Sequence, residues 1–288
     1  MASPRDARGE QPSTYFVQDR LSKEEIARVT IQDQTITVGM GGVLPEQEDP
    51  TTFKQVLDVG CGTGGWLIEA AKTYPTMTQL VGVDVSERMV EYARTQAIEQ
   101  GVSERVQFFT MDVLSKFNFP DDTFDLVNQR LGLSYLRTWD WPQMIYEYRR
   151  VARSGGIVRV TEADMVESNS TALIQREQML LHAFYQANHF FIKDKNGVTR
   201  ELVALLERAG LENVRTQVHN LEYHSGTIAG ANFAENMQHG FRTLLPFMRK
   251  WGQVPDNHEA IYRQMVGEMQ QPGFEATWRM MTVWGQKE

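Results

Sequence analysis

Short apolar runs alternate with helical patterns along most of the chain. The apolar runs predict seven strands, at 53–59, 79–84, 105–110, 123–128, 156–162, 213–223 and 276–285. Amphipathic segments between them predict helices at 65–74, 86–99, 140–152 and 198–209. In the second of these segments Met89, Ala93 and Ala97 recur every four residues, as one face of a helix requires. The alternation predicts an α/β fold: a Rossmann-like, doubly wound, seven-stranded and mostly parallel sheet with helices on both faces.

Three further segments lie outside this alternation. Ser22 and Glu25 have the spacing of a capping box and predict an extra N-terminal helix over 22–38, which would act as a lid. Two long helical insertions complete the set: 164–195 follows the fifth predicted strand, and 226–275 precedes the last one. Ligands of such sheets bind at the carboxyl ends of the strands. We therefore expect the two insertions to cover that edge as a substrate cap.

Composition and charge narrow the class of protein. The chain of 288 residues carries 29 Lys and Arg against 37 Asp and Glu, a net charge of −8, which opposes binding to nucleic acid. With one cysteine, Cys61, neither an internal disulfide nor a cysteine zinc site is predicted, and we predict no metal. No apolar run approaches the ~20 residues of a membrane span. Residues 1–13 lack the apolar core of a secretory signal, so we predict a cytoplasmic protein. We expect these residues to form a mobile tail before a single domain over 14–288.

A glycine-rich turn provides the strongest chemical indication. Residues 56–66 read "VLDVGCGTGGW", in which a predicted strand leads through several glycines into a predicted helix. Glycine permits a tight turn and a close approach of the backbone to a ligand. The helix that follows offers free N–H groups to a polar ligand. The turn predicts a nucleotide-like cofactor, since a ligand-free turn needs fewer glycines.

Two cofactor classes fit this turn. It satisfies G-x-G-x-x-G, and Asp84 follows Gly60 by 24 residues, where dinucleotide folds place a ribose-binding carboxylate. However, Asp58 would repel a pyrophosphate, whereas it would attract a cation. Asp112, after the third predicted strand, can accept a hydrogen bond from an adenine amino group. These two carboxylates favour a cationic adenosine cofactor, and an NAD-dependent oxidoreductase stays as the less favoured alternative.

Five motifs then follow one another along about residues 53–162. They are "LDVGCGTG", "VGVDVSERMVEYAR", "QFFTMDVL", "FPDDTFDLVNQRLGLSYL" and "RRVARSGGIVRV". In this order they resemble the class I S-adenosylmethionine-dependent methyltransferases, most closely the small-molecule branch that includes the ubiquinone- and menaquinone-biosynthesis enzymes. Ser154 stands where that family usually has proline, which affects a turn and not the site. The resemblance implies in-line transfer of a methyl group from S-adenosylmethionine to a small organic acceptor.

The resemblance also implies a set of cofactor contacts. The backbone of Gly60, Gly62 and Gly64 would lie beneath the methionine part, with Asp58 near its amino end, and Asp84 would accept both ribose hydroxyls. The other implied contacts are Val85 and Met89 at the adenine ring, Asp112 and Val113 at its amino group, and Asn128, Gln129 and Arg130 near the reacting methyl. Met89 also fits a plain helix core, and Arg130 a salt-bridged arginine.

The N-terminal helix and its approach supply further candidates. In this family a preceding helix often covers the cofactor, which makes Tyr15, Arg28 and Gln34 candidates for contacts to the cofactor carboxylate or the acceptor. An ordinary helix with a solvated polar face is the alternative.

Candidates for a general base are His182, His189 and Glu162. The two histidines lie seven residues apart on one predicted helix, and Glu162 ends the fifth predicted strand. A general base is needed only if the attacking atom must lose a proton. A lone histidine is more often a hydrogen-bonded or surface residue, so none of the three stands out.

The insertions and the last strand indicate the character of the acceptor. Residues 230–251 include Met237, Phe241, Leu244 and Phe247, and Trp278, Met280 and Trp284 share one face of the last strand; the chain has 14 methionines. Methionine suits adaptable apolar pockets, so we predict a small apolar or aromatic acceptor, with a well-packed helical core as the alternative. A protein that binds the cofactor without transferring methyl, such as a cyclisation catalyst, and formation of a homodimer are both left open.

Overall fold

The computed structural model describes residues 14–17 and 23–288. The tail predicted over 1–13 and the capping residue Ser22 lie outside the described residues, so neither prediction is tested. In the described part of the chain, no helix has the length and apolarity to cross a membrane.

An eight-stranded sheet forms the centre of the molecule. Its strands are β1 (Gln55–Val59), β2 (Gln79–Asp84), β3 (Val106–Thr110), β4 (Phe124–Arg130), β5 (Ala152–Ala163), β6 (Glu167–Ser168), β7 (Glu212–His224) and β8 (Glu275–Gln286). They are ordered β3-β2-β1-β4-β5-β8, and β8 also pairs with β6 and β7. The first five strands are parallel, and β8 is antiparallel to its three partners. This confirms the predicted mostly parallel sheet, to which the structure adds the two-residue β6.

Eight α-helices surround the sheet in the described residues. They are α1 (Lys23–Gly39), α2 (Gly65–Thr73), α3 (Glu87–Glu99), α4 (Trp141–Val151), α5 (Thr171–Gln186), α6 (Leu202–Arg208), α7 (Ile228–Trp251) and α8 (His258–Met269). Side chains of Ser86, Ser170 and Thr227 accept backbone N–H bonds at the starts of α3, α5 and α7, satisfying donors that lack a partner within the helix. The insertion 164–195 contains α5, and 226–275 contains α7 and α8.

The inner parallel strands β1, β2 and β4 are buried on both faces. Val56 and Leu80 pack with α2 and α3 on one face, whereas Leu57 and Val81, the next residues along β1 and β2, belong to the larger core on the other. Alternate side chains of a strand point to opposite faces, so continuous apolar runs are what a sheet covered on both sides requires. Residues of α1, α5 and α7 lie over the carboxyl ends of these strands. That edge contains the candidate site.

Candidate active site

A cavity runs along the carboxyl ends of the parallel strands, beneath α1, α5 and α7. Asp58 of β1, Asp84 of β2 and Asp112 after β3 line one part of it. Leu180 of α5 and Met237 of α7 line another part. Residues far apart in the sequence are thus brought into one continuous space.

The glycine-rich turn forms part of the cavity wall. Gly60 and Gly62 line the cavity with φ of 70° and 52°, and the N–H groups of Gly60 and Cys61 donate to Val83 O at 2.9 and 3.0 Å. A Cβ on Gly60 would lie 2.8 Å from the hydroxyl of Tyr135. Bare backbone is therefore required at this point. Gly64, a predicted cofactor contact, lies outside the cavity lining and is instead the left-handed N-cap residue of α2.

Asp84 is held at the wall by two backbone donors. Its Oδ2 accepts from Gly62 N at 3.0 Å and its Oδ1 from Ser86 N at 2.8 Å. These bonds connect the carboxylate to the glycine turn and to the start of α3. Asp112 is fixed in a similar way by Leu114 N at 3.1 Å. Val85, Met89 and Val113 line the cavity alongside them, and their contacts with an adenine stay a prediction.

Asp58 lies at the end of a buried polar chain. It accepts from Asn128 Nδ2 at 2.8 Å, Asn128 Oδ1 accepts from Arg159 Nη1 at 2.7 Å, and Arg159 Nε donates to Glu46 at 2.7 Å. Burial raises the pKa of Asp58 to about 7, although Asn128 and Arg159 oppose the increase. Asn128 does not line the cavity, in contrast to its predicted contact with the cofactor; it positions Asp58 instead.

Gln129 and Glu162 are also placed away from the cavity lining. Glu162 is fully buried and accepts from Gln129 Nε2 at 2.9 Å, Gly132 N at 2.5 Å and Leu133 N at 3.3 Å. Burial raises its pKa to about 8. The carboxyl group connects β5 to the turn after β4, where Leu131 has a φ of 55°. This is a structural position, and we assign Glu162 no catalytic role.

The two candidate histidines lie outside the cavity lining as well. His189 is buried, with Nδ1 at 2.7 Å from Leu133 O. Burial lowers its pKa to about 4, so the ring is neutral and Nδ1–H donates to the carbonyl. His182 lies on the outer side of α5, with Nδ1 at 3.0 Å from Lys193 Nζ. Neither ring is placed to take a proton from a molecule in the cavity, and we assign neither a catalytic role.

The segment before α1 is tied to that helix by a compact polar cluster. The hydroxyl of Tyr15 donates to Glu25 at 2.6 Å and accepts from Arg28 Nη2 at 3.0 Å, and Arg28 Nε donates to Glu25 at 2.8 Å. Tyr15 and Arg28 both line the cavity, and their contacts with a cofactor or an acceptor stay a prediction. Gln34 is exposed and lies outside the lining, because it is on another face of α1.

The face of α1 toward the cavity also includes two residues that the sequence analysis missed, Gln32 and Asp33. Asp33 forms an ion pair with Arg130 of β4, and Arg130 Nη1 donates to Thr37 at 3.0 Å. Arg130 lines the cavity as predicted and also matches its alternative interpretation as a paired arginine. Gln32 follows Arg28 by four residues, so helical spacing from Arg28 could have revealed it.

The part of the cavity beneath α5 and α7 is mainly apolar. Leu180 and Phe184 of α5 line it with Met237 and Leu244 of α7, together with Trp278 of β8. Other apolar residues of the predicted pocket, including Phe241, Phe247 and Met280, are buried in the core outside the lining. Part of the apolar set is thus helical core and part lines the cavity, and the apolar acceptor stays a prediction.

Four buried polar residues missed by the sequence analysis also line this part of the cavity: Asp164 after β5, Arg176 and Glu177 of α5, and Asn236 of α7. Arg176, Leu180 and Phe184 follow one another at intervals of four residues. This spacing could have indicated that a charged residue shares the apolar face.

The polar wall matches a cationic adenosine cofactor in its chemistry. Asp84 can accept from adjacent ribose hydroxyls, Asp112 from an amino group, and Asp58 can lie beside a positive charge. The bare backbone at Gly60 and Gly62 leaves space that side chains would fill. The residues present therefore fit S-adenosylmethionine, and a pyrophosphate would meet carboxylates where it needs donors.

Known proteins resemble the chain in the same region. The sequence model of a methyltransferase domain family matches residues 56–156. Ajmaline N-methyltransferase of Rauvolfia serpentina is 33% identical over 130 residues, which cover 44% of this chain and 43% of that protein. Demethylmenaquinone methyltransferase of Bacillus subtilis (strain 168) is 30% identical over 190 residues, 60% of this chain and 74% of that enzyme. The chain spans about half the length of the first two curated relatives, 43% and 54%.

Solved structures share the fold. Phosphoethanolamine N-methyltransferase 2 of Haemonchus contortus, in complex with S-adenosyl-L-methionine, aligns with a TM-score of 0.55 at 15% identity, over 94% of this chain and 59% of that one. Geranyl diphosphate C-methyltransferase of Streptomyces coelicolor A3(2) aligns with a TM-score of 0.53 at 12% identity, over 94% and 88%. The match to the methyltransferase domain family and the 30% identity to the Bacillus subtilis enzyme, together with the carboxylates and the glycine turn at the strand ends, show that the chain belongs to the class I methyltransferases of the small-molecule branch, whose cofactor is S-adenosylmethionine.

Proposed function

We propose that this protein transfers the methyl group of S-adenosylmethionine to a small organic acceptor with an apolar body, by in-line displacement. The observation that carries the proposal is the continuity of the cavity. The same space is lined by Asp84 and Asp112 at the strand ends and by Leu180 and Met237 beneath α5 and α7. A cofactor at the first pair and an acceptor at the second would lie side by side. The insertions that contain α5 and α7 would then act as the substrate cap.

The residues of the chain would contribute mainly by positioning. When bound, S-adenosylmethionine supplies a methyl group on a positively charged sulfur. Asp84 and Asp112 would hold the adenosine end, and the cluster of Tyr15, Glu25 and Arg28 would keep α1 over the cavity. Fixing two reactants in line can lower a barrier by roughly 7–11 kcal/mol.

The carboxylates on the acceptor side support positioning over proton abstraction. Asp164 accepts from Thr199 Oγ1 at 2.5 Å and from Arg279 Nη1 at 2.7 Å. Glu177 accepts from Val166 N at 3.0 Å and forms an ion pair with its neighbour Arg176. The oxygens of both carboxylates are occupied by these donors, so neither carboxylate offers a free oxygen to receive a proton from an acceptor. We therefore propose an acceptor whose attacking atom is nucleophilic without enzymatic deprotonation.

Methyl transfer is tested with S-adenosylmethionine labelled on its methyl group. We expect label to appear in at least one member of a panel of aromatic and heteroaromatic amines with apolar rings. The Asp84→Ala variant should transfer no label above the background of boiled protein. If the protein binds S-adenosylhomocysteine and cyclises or merely retains the panel compounds without labelling any, the proposal of methyl transfer fails.

Cofactor affinity is expected to depend on pH through Asp58. The pKa of this carboxyl is raised to about 7 in the ligand-free protein, and an adjacent amino group of the cofactor would favour its ionised form. Below about pH 7, binding must release a proton, so affinity should fall by up to about tenfold per pH unit. Above pH 7 it should level off. Calorimetric titration with S-adenosylhomocysteine across this range measures the profile.

The Asp58→Asn variant is the control for this profile. It keeps an oxygen to accept from Asn128 and cannot titrate, so its affinity should be lower and nearly flat across the same pH range. A variant profile with the same slope as the wild type would assign the pH dependence to another group.

A further inference from the structure

Arg176 has an incomplete set of hydrogen bonds within the wall of the cavity. Its side chain is 5% exposed and lines the cavity. Nη1 donates to Glu177, whereas the buried Nε has no hydrogen-bond partner. A buried N–H without a partner has lost its hydrogen bonds to water without replacing them, so such a group calls for an explanation.

The guanidinium reaches from α5 to α7. A Cβ on Gly240 of α7 would lie 3.1 Å from Arg176 Nη2, so the missing side chain at Gly240 makes room for the arginine. Asn236 lies one turn earlier on the same face of α7 and lines the cavity. Its Oδ1 is buried and has no partner either. Two unsatisfied polar groups therefore lie close together beneath the cap.

Arg28 of α1, which also lines the cavity, differs in this respect. The guanidinium of Arg28 donates to both oxygens of Glu25, to Gln32 and to the hydroxyl of Tyr15. These hydrogen bonds of Arg28 therefore hold α1 and the segment before it in place. Arg176 donates to Glu177 through Nη1 and keeps the edge formed by Nε and Nη2 for another acceptor. The two N–H groups of that edge are parallel and match the two oxygens of a carboxylate.

We propose that the methyl acceptor carries a carboxylate, which binds to the Nε–Nη2 edge of Arg176 beside the amide of Asn236. The amide can turn to offer either its oxygen or its N–H group. The apolar body of the acceptor would lie along Leu180 and Met237, so the substrate class is an amphipathic carboxylic acid. This inference rests on the proposed function, because it assumes that the space beneath the cap holds the acceptor.

The test compares two probes of equal shape on protein saturated with S-adenosylhomocysteine. The probes are 3-hydroxy-2-naphthoate and its neutral carboxamide, and calorimetry gives the affinity of each. A charge-assisted bidentate contact should make the acid bind at least about tenfold more tightly than the amide. Arg176→Gln should remove this preference. Arg176→Lys, which retains the charge beside Glu177 without the planar edge, should give a smaller preference than the wild type.

A matched control is Arg242→Gln on α7, where the side chain is exposed. It should leave the preference for the acid unchanged. Equal binding of acid and amide to the wild type, no binding of the acid, or an equal loss of both probes in Arg176→Gln would overturn the inference. The affinity for S-adenosylhomocysteine, measured first on every variant, is the separate test of the cofactor site. If the wild type does not bind S-adenosylhomocysteine, that result overturns the proposed function itself.

Discussion

The Asp84→Ala variant is expected to bind S-adenosylhomocysteine about 10²- to 10⁴-fold more weakly than the wild type. Each hydrogen bond between a carboxylate and a ribose hydroxyl contributes roughly 1.5–3 kcal/mol, and the carboxylate would accept two. Asp84 also receives the N–H groups of Gly62 and Ser86, so its removal loosens the glycine turn at the same time. Calorimetric titration of the folded variant measures the loss.

One further variant has an intermediate change at position 84, and a second serves as the control. Asp84→Asn retains one oxygen for the backbone donors or the ribose and should fall between the wild type and Asp84→Ala. Asp121→Ala removes an exposed carboxylate that pairs with Arg150 and should bind as the wild type does. If Asp84→Ala stays folded and binds within about twofold of the wild type, the ribose contact proposed for Asp84 is wrong.

Gly64→Ala should lower the free energy of unfolding by about 2–5 kcal/mol. The residue has a φ of 76°, and a left-handed conformation costs a residue with a side chain roughly 1–2 kcal/mol. A Cβ there would lie 2.6 Å from Phe108 Cζ and 2.9 Å from Ala93 Cβ, and overpacking of this kind costs roughly 1–3 kcal/mol more. Urea unfolding measures the change.

Gly101→Ala isolates the backbone contribution. Gly101 has a similar φ of 72°, and a Cβ there would meet nothing within 4 Å. We expect it to lose only the roughly 1–2 kcal/mol of the left-handed conformation. Equal losses in the two variants would mean that packing of α2 against α3 and β3 does not require a glycine at position 64.

The parts of the site that the sequence predicted are those formed by local pattern. Asp84 is the last residue of β2 and Asp112 lies two residues after the end of β3, and parallel strands bring their carboxyl ends to one edge of the sheet. The glycine turn is likewise a contiguous segment. Such features need no knowledge of tertiary packing, because spacing along the chain determines them.

Residues whose roles depend on distant partners were harder to predict. Asn128 and Gln129 are neighbours on a central strand, so their side chains point to opposite faces and each needs a buried partner. Those partners are Arg159 and Glu162 of β5, about thirty residues away, and nothing in the local pattern identifies them. The sequence therefore predicted cofactor contacts for two residues that the structure uses to satisfy buried polar groups.

The residues proposed to bind the acceptor beneath the cap could not be predicted from the sequence for the same reason. Helical spacing predicted α5 and α7, but which face of each lies over the cavity follows from how the helices pack. Arg176 and Asn236 share faces with apolar residues, and their unsatisfied polar atoms become apparent only once burial and distance are known. Their proposed role in binding the acceptor thus depends on tertiary structure.

The central claim is that one cavity holds cofactor and acceptor side by side, and a crystal structure of the complex with S-adenosylhomocysteine tests it most directly. We predict that the ribose hydroxyls lie within hydrogen-bond distance of Asp84 and the adenine amino group within reach of Asp112. The sulfur should face the space beneath α5 and α7, beside Leu180 and Met237. A ligand bound outside this cavity, or a sulfur that faces away from that space, would contradict the account.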